Sequence, residues 1–238
     1  MDMGYLAGID LGTSSVKVLI MDPDGRTLAV SSRGYDVMTP KMSYAEQEPQ
    51  VWWDCTVMAI REAMEKSGIR PEELDGIGLS GQMHGLVAFD RNNEPVMPAI
   101  IWMDQRSAKE TALIKELAGD LLETELLNQP GAGMMICSLL WLKRHRPDVY
   151  DRIAHVMLPK DYIRYRLTGT IGSDFSDACA TLAFSVKGRC WCMELIRRAG
   201  LKEDIWPQVG ESSQAAGHVW AEAAARTGLS GHTRVVYG

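Results

Sequence analysis

A chain of 238 residues is long enough to bury a sizeable core, and 46% apolar with 24% charged residues is the balance of a folded globular protein. The formal net charge of −6 argues against a general nucleic-acid or anionic-membrane partner, although a local site can still hold a small anion. No run approaches the roughly 20 apolar residues of a membrane span, and the opening MDMGYLAGID lacks a basic segment followed by an apolar signal core, so a cytoplasmic protein is expected.

Residues 5 to 34 hold three β-rich runs, Tyr5 to Ile9, Val16 to Met21 and Thr27 to Ser32, separated by "GTSS" and "DPDG" turns. Proline presets φ and glycine accepts a positive φ, so this reads as an antiparallel β-meander. "EPQVWWDCTVMAIREAMEKSG" follows, with proline at its start, Trp52, Cys55, Ala59 and Ala63 on one helical stripe, and a glycine stop at Gly68. "LDGIGLSGQMHGLVAFD" returns to strand, with Ile77 to Leu79 and Leu86 to Phe89 flanking a Gly-Gln-Met-His-Gly turn. "RSAKETALIKELAGDLL", "SLLWLKRHRPDVYDRI" and "LPKDYIRYRLTG" read as amphipathic helices, as do residues 191–200 and 219–228, and "TRVVYG" ends on a strand signal. No linker divides the chain. A hairpin meander followed by alternating helices and strands implies an α/β domain with a mixed sheet. A doubly wound dinucleotide domain would put a helix directly after the first strand with Gly-x-Gly-x-x-Gly between them, and neither stands there; no Walker A loop occurs.

Cys55, Cys137, Cys179, Cys190 and Cys192 are odd in number and lack CxxC spacing, so buried free thiols are expected rather than metal ligands or disulfides.

Three segments carry groups suited to chemistry. In "IDLGTSSVK", Gly12 permits a sharp turn, Thr13, Ser14 and nearby amides can donate to a phosphate, Lys17 adds positive charge, and Asp10 can hold hydrated magnesium. An ordinary Asx or Ser/Thr hairpin turn explains that motif equally well. In "GLSGQMHGLVAFD", the imidazole of His84 can exchange hydrogen bonds with a hydroxyl, and Met83 offers apolar surface. In "PAIIWMDQRSAKE", Trp102 can cover the less polar face of a sugar, Asp104 can accept from hydroxyls, and Arg106 orients that carboxylate, meets substrate oxygens or serves the fold.

Together these segments resemble the FGGY carbohydrate kinase family. "GIDLGTSSVKVLIMDPDG" looks like the first phosphate motif of the wider actin-like ATPase superfamily, and "GQMHG" and "WMDQR" resemble the sugar-side segments of xylulose kinases within the family. Met103 and Gln105 depart from the asparagine and glycine expected there, and Ala180 replaces an expected glycine, so the class is better supported than the sugar. "LPKDYIRYRLTG" and "SDFSDACATLAFSVKGRCW" continue the likeness in order and spacing.

The resemblance implies an actin-like (ribonuclease H-like) lobe that uses ATP and Mg2+ to phosphorylate a ketopentose, D-xylulose giving D-xylulose 5-phosphate. Asp10 then serves as metal ligand, with Gly12, Thr13, Ser14 and Lys17 at the phosphates. Gln82, Met83, His84, Trp102, Asp104, Arg106 and, in a polar loop, Asp177 face the sugar. Lys160, Asp161 and Arg164 are expected on a salt-bridged or solvated helix face. The catalytic base of such kinases lies in a Gly-Gly-x-Asp segment expected beyond Gly238, so residues 1–238 read as the N-terminal lobe, able to bind but not to turn over. Another FGGY kinase, acting on gluconate or ribulose, and a non-catalytic sugar- or partner-binding lobe stay open. Neither nucleic acid nor membrane is expected as a partner, and a homodimer is left open.

Overall fold

The computed structural model describes residues 4–238. Strand alternation builds its centre. β1 (Tyr5–Leu11), β2 (Ser15–Met21) and β3 (Thr27–Gly34) form the expected antiparallel meander. At the second turn, Gly25 adopts φ +83° and its N–H donates to the Asp22 carbonyl. β4 (Leu74–Gly81) joins β1 in parallel. β5 (Ala215–His218) and β6 (Arg234–Val236) complete a mixed six-stranded sheet of order β5-β6-β4-β1-β2-β3.

Every second residue of the central strands, including Ile9, Leu11, Val16, Val18, Ile20, Ile77 and Leu79, faces one core. There α1 (Pro49–Ser67) presents the stripe of Trp52, Cys55, Ala59 and Ala63. The helix begins on proline, whose missing N–H costs nothing at that position, and ends on the left-handed Gly68. Each fully buried aliphatic side chain contributes about 1.5–3 kcal/mol of transfer free energy.

A second apolar cluster gathers α2 (Ala108–Ala118) and α3 (Met135–His145) around Ile100, Ile136 and Leu139. The run Leu86 to Phe89 lies between the two. Val87 and Phe89 enter the sheet core while Leu86 and Ala88 enter the helical one. A continuous apolar run is what a strand buried on both faces requires.

Four expectations need correction. The helix read across "SLLWLKRHRPDVYDRI" stops at His145, and only one further turn, Pro147–Tyr150, follows. Proline supplies no N–H and disfavours helical geometry in the residue before it. After α4 (Pro159–Thr168), the expected polar loop around Asp177 is instead a short helix, α5 (Phe175–Ala180), capped by the Asp174 carboxylate, which accepts from the Ser176 N–H. On α4, Lys160, Asp161 and Arg164 are salt-bridged, one of the two outcomes expected, but they are buried rather than on a surface face. All five thiols are free, as expected, but Cys190 is exposed and Cys179 only partly buried. The segment 221–227 forms α6 (Ala221–Thr227). No described helix is long and apolar enough to cross a membrane.

Candidate active site

Asp10 lies opposite Lys17 of β2 and Ser80 of β4. The alternation that buries Ile9 and Leu11 turns Asp10 to the opposite face. It is exposed there, and its carboxylate has no hydrogen-bond or ion-pair partner among the described residues. The β1–β2 loop is drawn tight by Gly12, whose N–H donates to the Ser15 carbonyl at 3.0 Å. That amide is therefore spent on the turn. The amides of Thr13 and Ser14 have no partner among the described residues.

Tyr35 supports the loop from behind. Its hydroxyl donates to the Gly12 carbonyl at 2.6 Å and its N–H to the Ser14 carbonyl at 3.0 Å. Burial, reinforced by Cys55 and Asp10, raises its phenol well above the ordinary range, so it stays a donor.

The turn after β4 is stitched to β1 by the Gln82 N–H, which donates to the Leu11 carbonyl at 2.7 Å. Met83 is 53% exposed. His84 has φ +71°, and its Nδ1 is 2.6 Å from the Ala180 carbonyl at the end of α5. A carbonyl only accepts, so Nδ1 carries the proton and Nε2 of the neutral ring is left as an acceptor. Trp102, 45% exposed, donates its indole N–H to Thr13 Oγ1 at 2.9 Å.

One cavity of about 500 Å³ is thus shared by Asp10, Gly12 and Thr13 with Gln82, Met83, His84 and Trp102. A neighbouring cavity of about 430 Å³ is lined by Asp10, Lys17, Ser80 and Gly238. Asp10 borders both. Ser14, though exposed, lines neither.

Three expected sugar-side residues lie elsewhere. Asp104 is completely buried. Its oxygens accept from the Ala45 N–H at 2.7 Å, the Arg106 N–H at 2.9 Å, Arg106 Nε at 2.9 Å and Nη2 at 2.8 Å. Arg106 also donates to Glu46 at 2.6 Å, and its guanidinium stacks 3.7 Å from the Tyr44 ring centre. With its oxygens so committed, the pair holds the loop that carries Trp102 and does not face the cavity.

Asp177 belongs to a third cluster. Lys160 Nζ lies 2.7 Å from Asp174, 3.2 Å from Asp161 and 3.5 Å from Asp177, and donates to the Tyr237 carbonyl at 2.8 Å. Arg164 pairs with Asp161 at 2.7 Å and reaches the same carbonyl at 3.2 Å. The three carboxylates are close enough to share a metal ion, but the Lys160 ammonium already supplies the positive charge between them. Burial pushes the Asp177 carboxyl up to about 6, with Asp161 and Asp174 adding to the rise and Lys160 opposing it. Burial would raise Asp174 too, but the Lys160 charge and the Lys160, Ser176 and Ser212 hydrogen bonds hold it well below the usual range.

Residues 5–238 match the model of the FGGY family of carbohydrate kinases, N-terminal domain. The chain belongs to the FGGY family of carbohydrate kinases. It is 36% identical over 236 residues to the xylulose kinase of Bacillus subtilis, covering 99% of this chain and 47% of that one. It is 34% identical over 224 residues to the xylulose kinase of Escherichia coli, covering 94% and 46%. Among solved structures, the xylulose kinase of Rhodospirillum rubrum superposes with a TM-score of 0.92 at 27% identity, over 98% of this chain and 48% of that one. The FGGY chain thus spans about half the length of the curated relatives it matches, and its α/β architecture is the actin-like one.

Two residues that support this FGGY cleft from outside its lining, Tyr35 and Gln47, carry no marker in the sequence. Both lie between the third β-run and the first helix signal, and nothing in their local pattern marks the half-buried phenol or the buried amide. The proline and tryptophans after Gln47 signal only a helix start.

Proposed function

We propose that this chain is the sugar- and phosphate-binding lobe of an ATP-dependent kinase that phosphorylates an open-chain ketopentose, D-xylulose, at a primary hydroxyl. The observation that supports this most is the single cavity in which Asp10 and the Thr13 hairpin meet Met83, His84 and Trp102. Trp102 and Met83 offer apolar surface to the carbon chain, and Nε2 of His84 accepts from a hydroxyl. Thr13 and the unpartnered loop amides donate to phosphate oxygens, and Lys17 faces the adjoining cavity as a compensating charge.

An exposed carboxylate with no protein partner fits a hydrated Mg2+, so Asp10 is the residue that would hold one. The ion would offset charge on the phosphates. Among the described residues Asp10 is also the only carboxylate that lines the cavity, so no second one among them stands there to take the sugar proton. Binding with negligible turnover by the chain itself follows.

The test is calorimetric titration of the chain with D-xylulose, D-ribulose, gluconate and glycerol, together with ADP measurement after Mg-ATP is added. D-xylulose is expected to bind most tightly, His84→Ala to weaken it about tenfold, the scale of one lost hydrogen bond, and ADP to stay at background. Tighter binding of gluconate, or xylulose-dependent ADP, would overturn this reading.

A further inference from the structure

Gln47 is 2% exposed, and every hydrogen-bonding site of its amide is filled. Nε2 donates to the carbonyls of Thr13 at 2.8 Å and Asp36 at 3.2 Å. Oε1 accepts from the Trp52 indole at 3.2 Å and from Gln82 Nε2 at 2.9 Å. Gln82, on the sugar side of the cavity, is therefore joined through Gln47 to the backbone of Thr13. Trp102, also on that side, is joined to the same residue through the 2.9 Å bond from its indole to Thr13 Oγ1. Because the Thr13 oxygen accepts from Trp102, its own hydroxyl proton is directed elsewhere, where a phosphate oxygen can receive it.

The surroundings of Trp102 make this contact effective. Gly133, at φ +82°, packs so closely that a Cβ there would lie 2.4 Å from the Trp102 carbonyl oxygen. Two residues on, the buried Asp104–Arg106 pair anchors the same loop to Ala45 and Glu46. The backbone is pinned, so the freedom left to Trp102 lies in its ring. A ligand that orders that ring and the Gln82 turn also orders Thr13.

We propose that Gln47 and Trp102 couple the two subsites, so that sugar in the cavity tightens phosphate binding at the Thr13 hairpin and phosphate tightens sugar binding by the same factor. The reciprocity is a thermodynamic necessity, and the mechanism is shared ordering. This rests on the sugar-kinase reading above and adds a positioning role to it: the hydrogen bonds that hold the phosphate hairpin are made by Trp102 and, through Gln47, by Gln82, two residues that line the sugar side of the cavity. Gln47 lines neither cavity and acts as a positioning residue. With one hydrogen bond per link, each of ordinary net strength, the coupling is about 5- to 30-fold.

The experiment is an NMR titration of the 15N-labelled chain with D-xylulose, with and without saturating magnesium tripolyphosphate, in wild type, Gln47→Leu, Trp102→Phe and the double variant. The wild type should show the 5- to 30-fold ratio of sugar affinities, each single variant a smaller ratio, and the double variant a ratio of about 1. The Trp102 indole resonance should also move when tripolyphosphate alone is added. Should Gln47→Leu fail to fold, Trp102→Phe still decides the matter, since that ring is half-exposed and its loss leaves the core intact. Two ligands that bind wild type independently, or a Trp102→Phe variant that keeps the wild-type ratio, would overturn the coupling while leaving the sugar-kinase reading in place. Failure of wild type to bind either ligand would overturn that reading and the coupling with it.

Discussion

Replacing Asp104 by asparagine separates a sugar ligand from a structural anchor. In the folded chain the carboxylate accepts from the Ala45 amide and from three nitrogens of Arg106, all between 2.7 and 2.9 Å, with no exposed surface. Asparagine keeps one acceptor oxygen but turns an NH2 group toward a guanidinium or a backbone N–H, donor against donor. The charge of Arg106 is then balanced by Glu46 alone. Breaking a buried ion pair from one side costs about 3–5 kcal/mol. With a urea slope of about 2 kcal/mol per molar, the unfolding midpoint should fall by about 1.5–2.5 M with little change in slope. Under conditions where the variant is still folded, its affinity for D-xylulose should stay within about twofold of wild type, because the loop is weakened but no sugar contact is lost. A variant of wild-type stability that has lost sugar binding would refute the reasoning and return Asp104 to the sugar.

Three further outcomes follow from the same geometry. Lys160→Met should destabilise the chain by about 3–5 kcal/mol, since it leaves the buried Asp161 and Asp174 and the half-buried Asp177 facing one another with only Arg164, on Asp161, to offset their charge, and urea unfolding should show a larger loss at pH 8 than at pH 5, where carboxylates can protonate. Asp177, with its carboxyl raised from 3.8 to about 6, holds a proton in the folded state that the unfolded chain has already released between those values. Its contribution is therefore favourable in acid and is lost as pH rises through about 6. Asp177→Asn should accordingly raise the melting temperature at pH 7.5 by about 2–6 °C, after allowance for the lost Lys160 contact, and leave it nearly unchanged at pH 4. Gly133→Ala places a Cβ 2.4 Å from the Trp102 carbonyl at a positive φ; a stability loss of about 2–4 kcal/mol in urea and about tenfold weaker calorimetric binding of D-xylulose are expected, from strain combined with a displaced ring.

Whatever depends on neighbours in the chain was legible from the order of residues. Period-two burial marked β1, β2 and β3, and proline and glycine marked the ends of α1, because pleat, φ restriction and capping act within a few residues. Those strands fix the face from which Asp10 projects, and the hairpin fixes Gly12 and Thr13 next to it. Met83, His84 and Trp102 were legible as chemistry-bearing residues, but their meeting with Thr13 is a product of the parallel β1–β4 pairing and the packing of the loop around Trp102.

Which charges are buried depends instead on contacts between distant segments. Asp104 and Arg106 were placed at the sugar because the segment after Trp102 resembles a sugar-side motif, and Lys160, Asp161 and Arg164 on a salt-bridged or solvated helix face because their spacing is that of any polar stripe. In each case a segment distant in sequence supplies the partner: Ala45 and Glu46 for the first pair, and Asp174 and the Tyr237 carbonyl for the second group. Gln47 shows the same limit from the other side. A glutamine in a polar run has no local signature, and its position between Thr13 and Gln82 exists only once β1, β4 and the start of α1 have come together. Burial of a polar group is favourable only when its partners arrive with it, and those partners are set by the fold rather than by the adjacent residues.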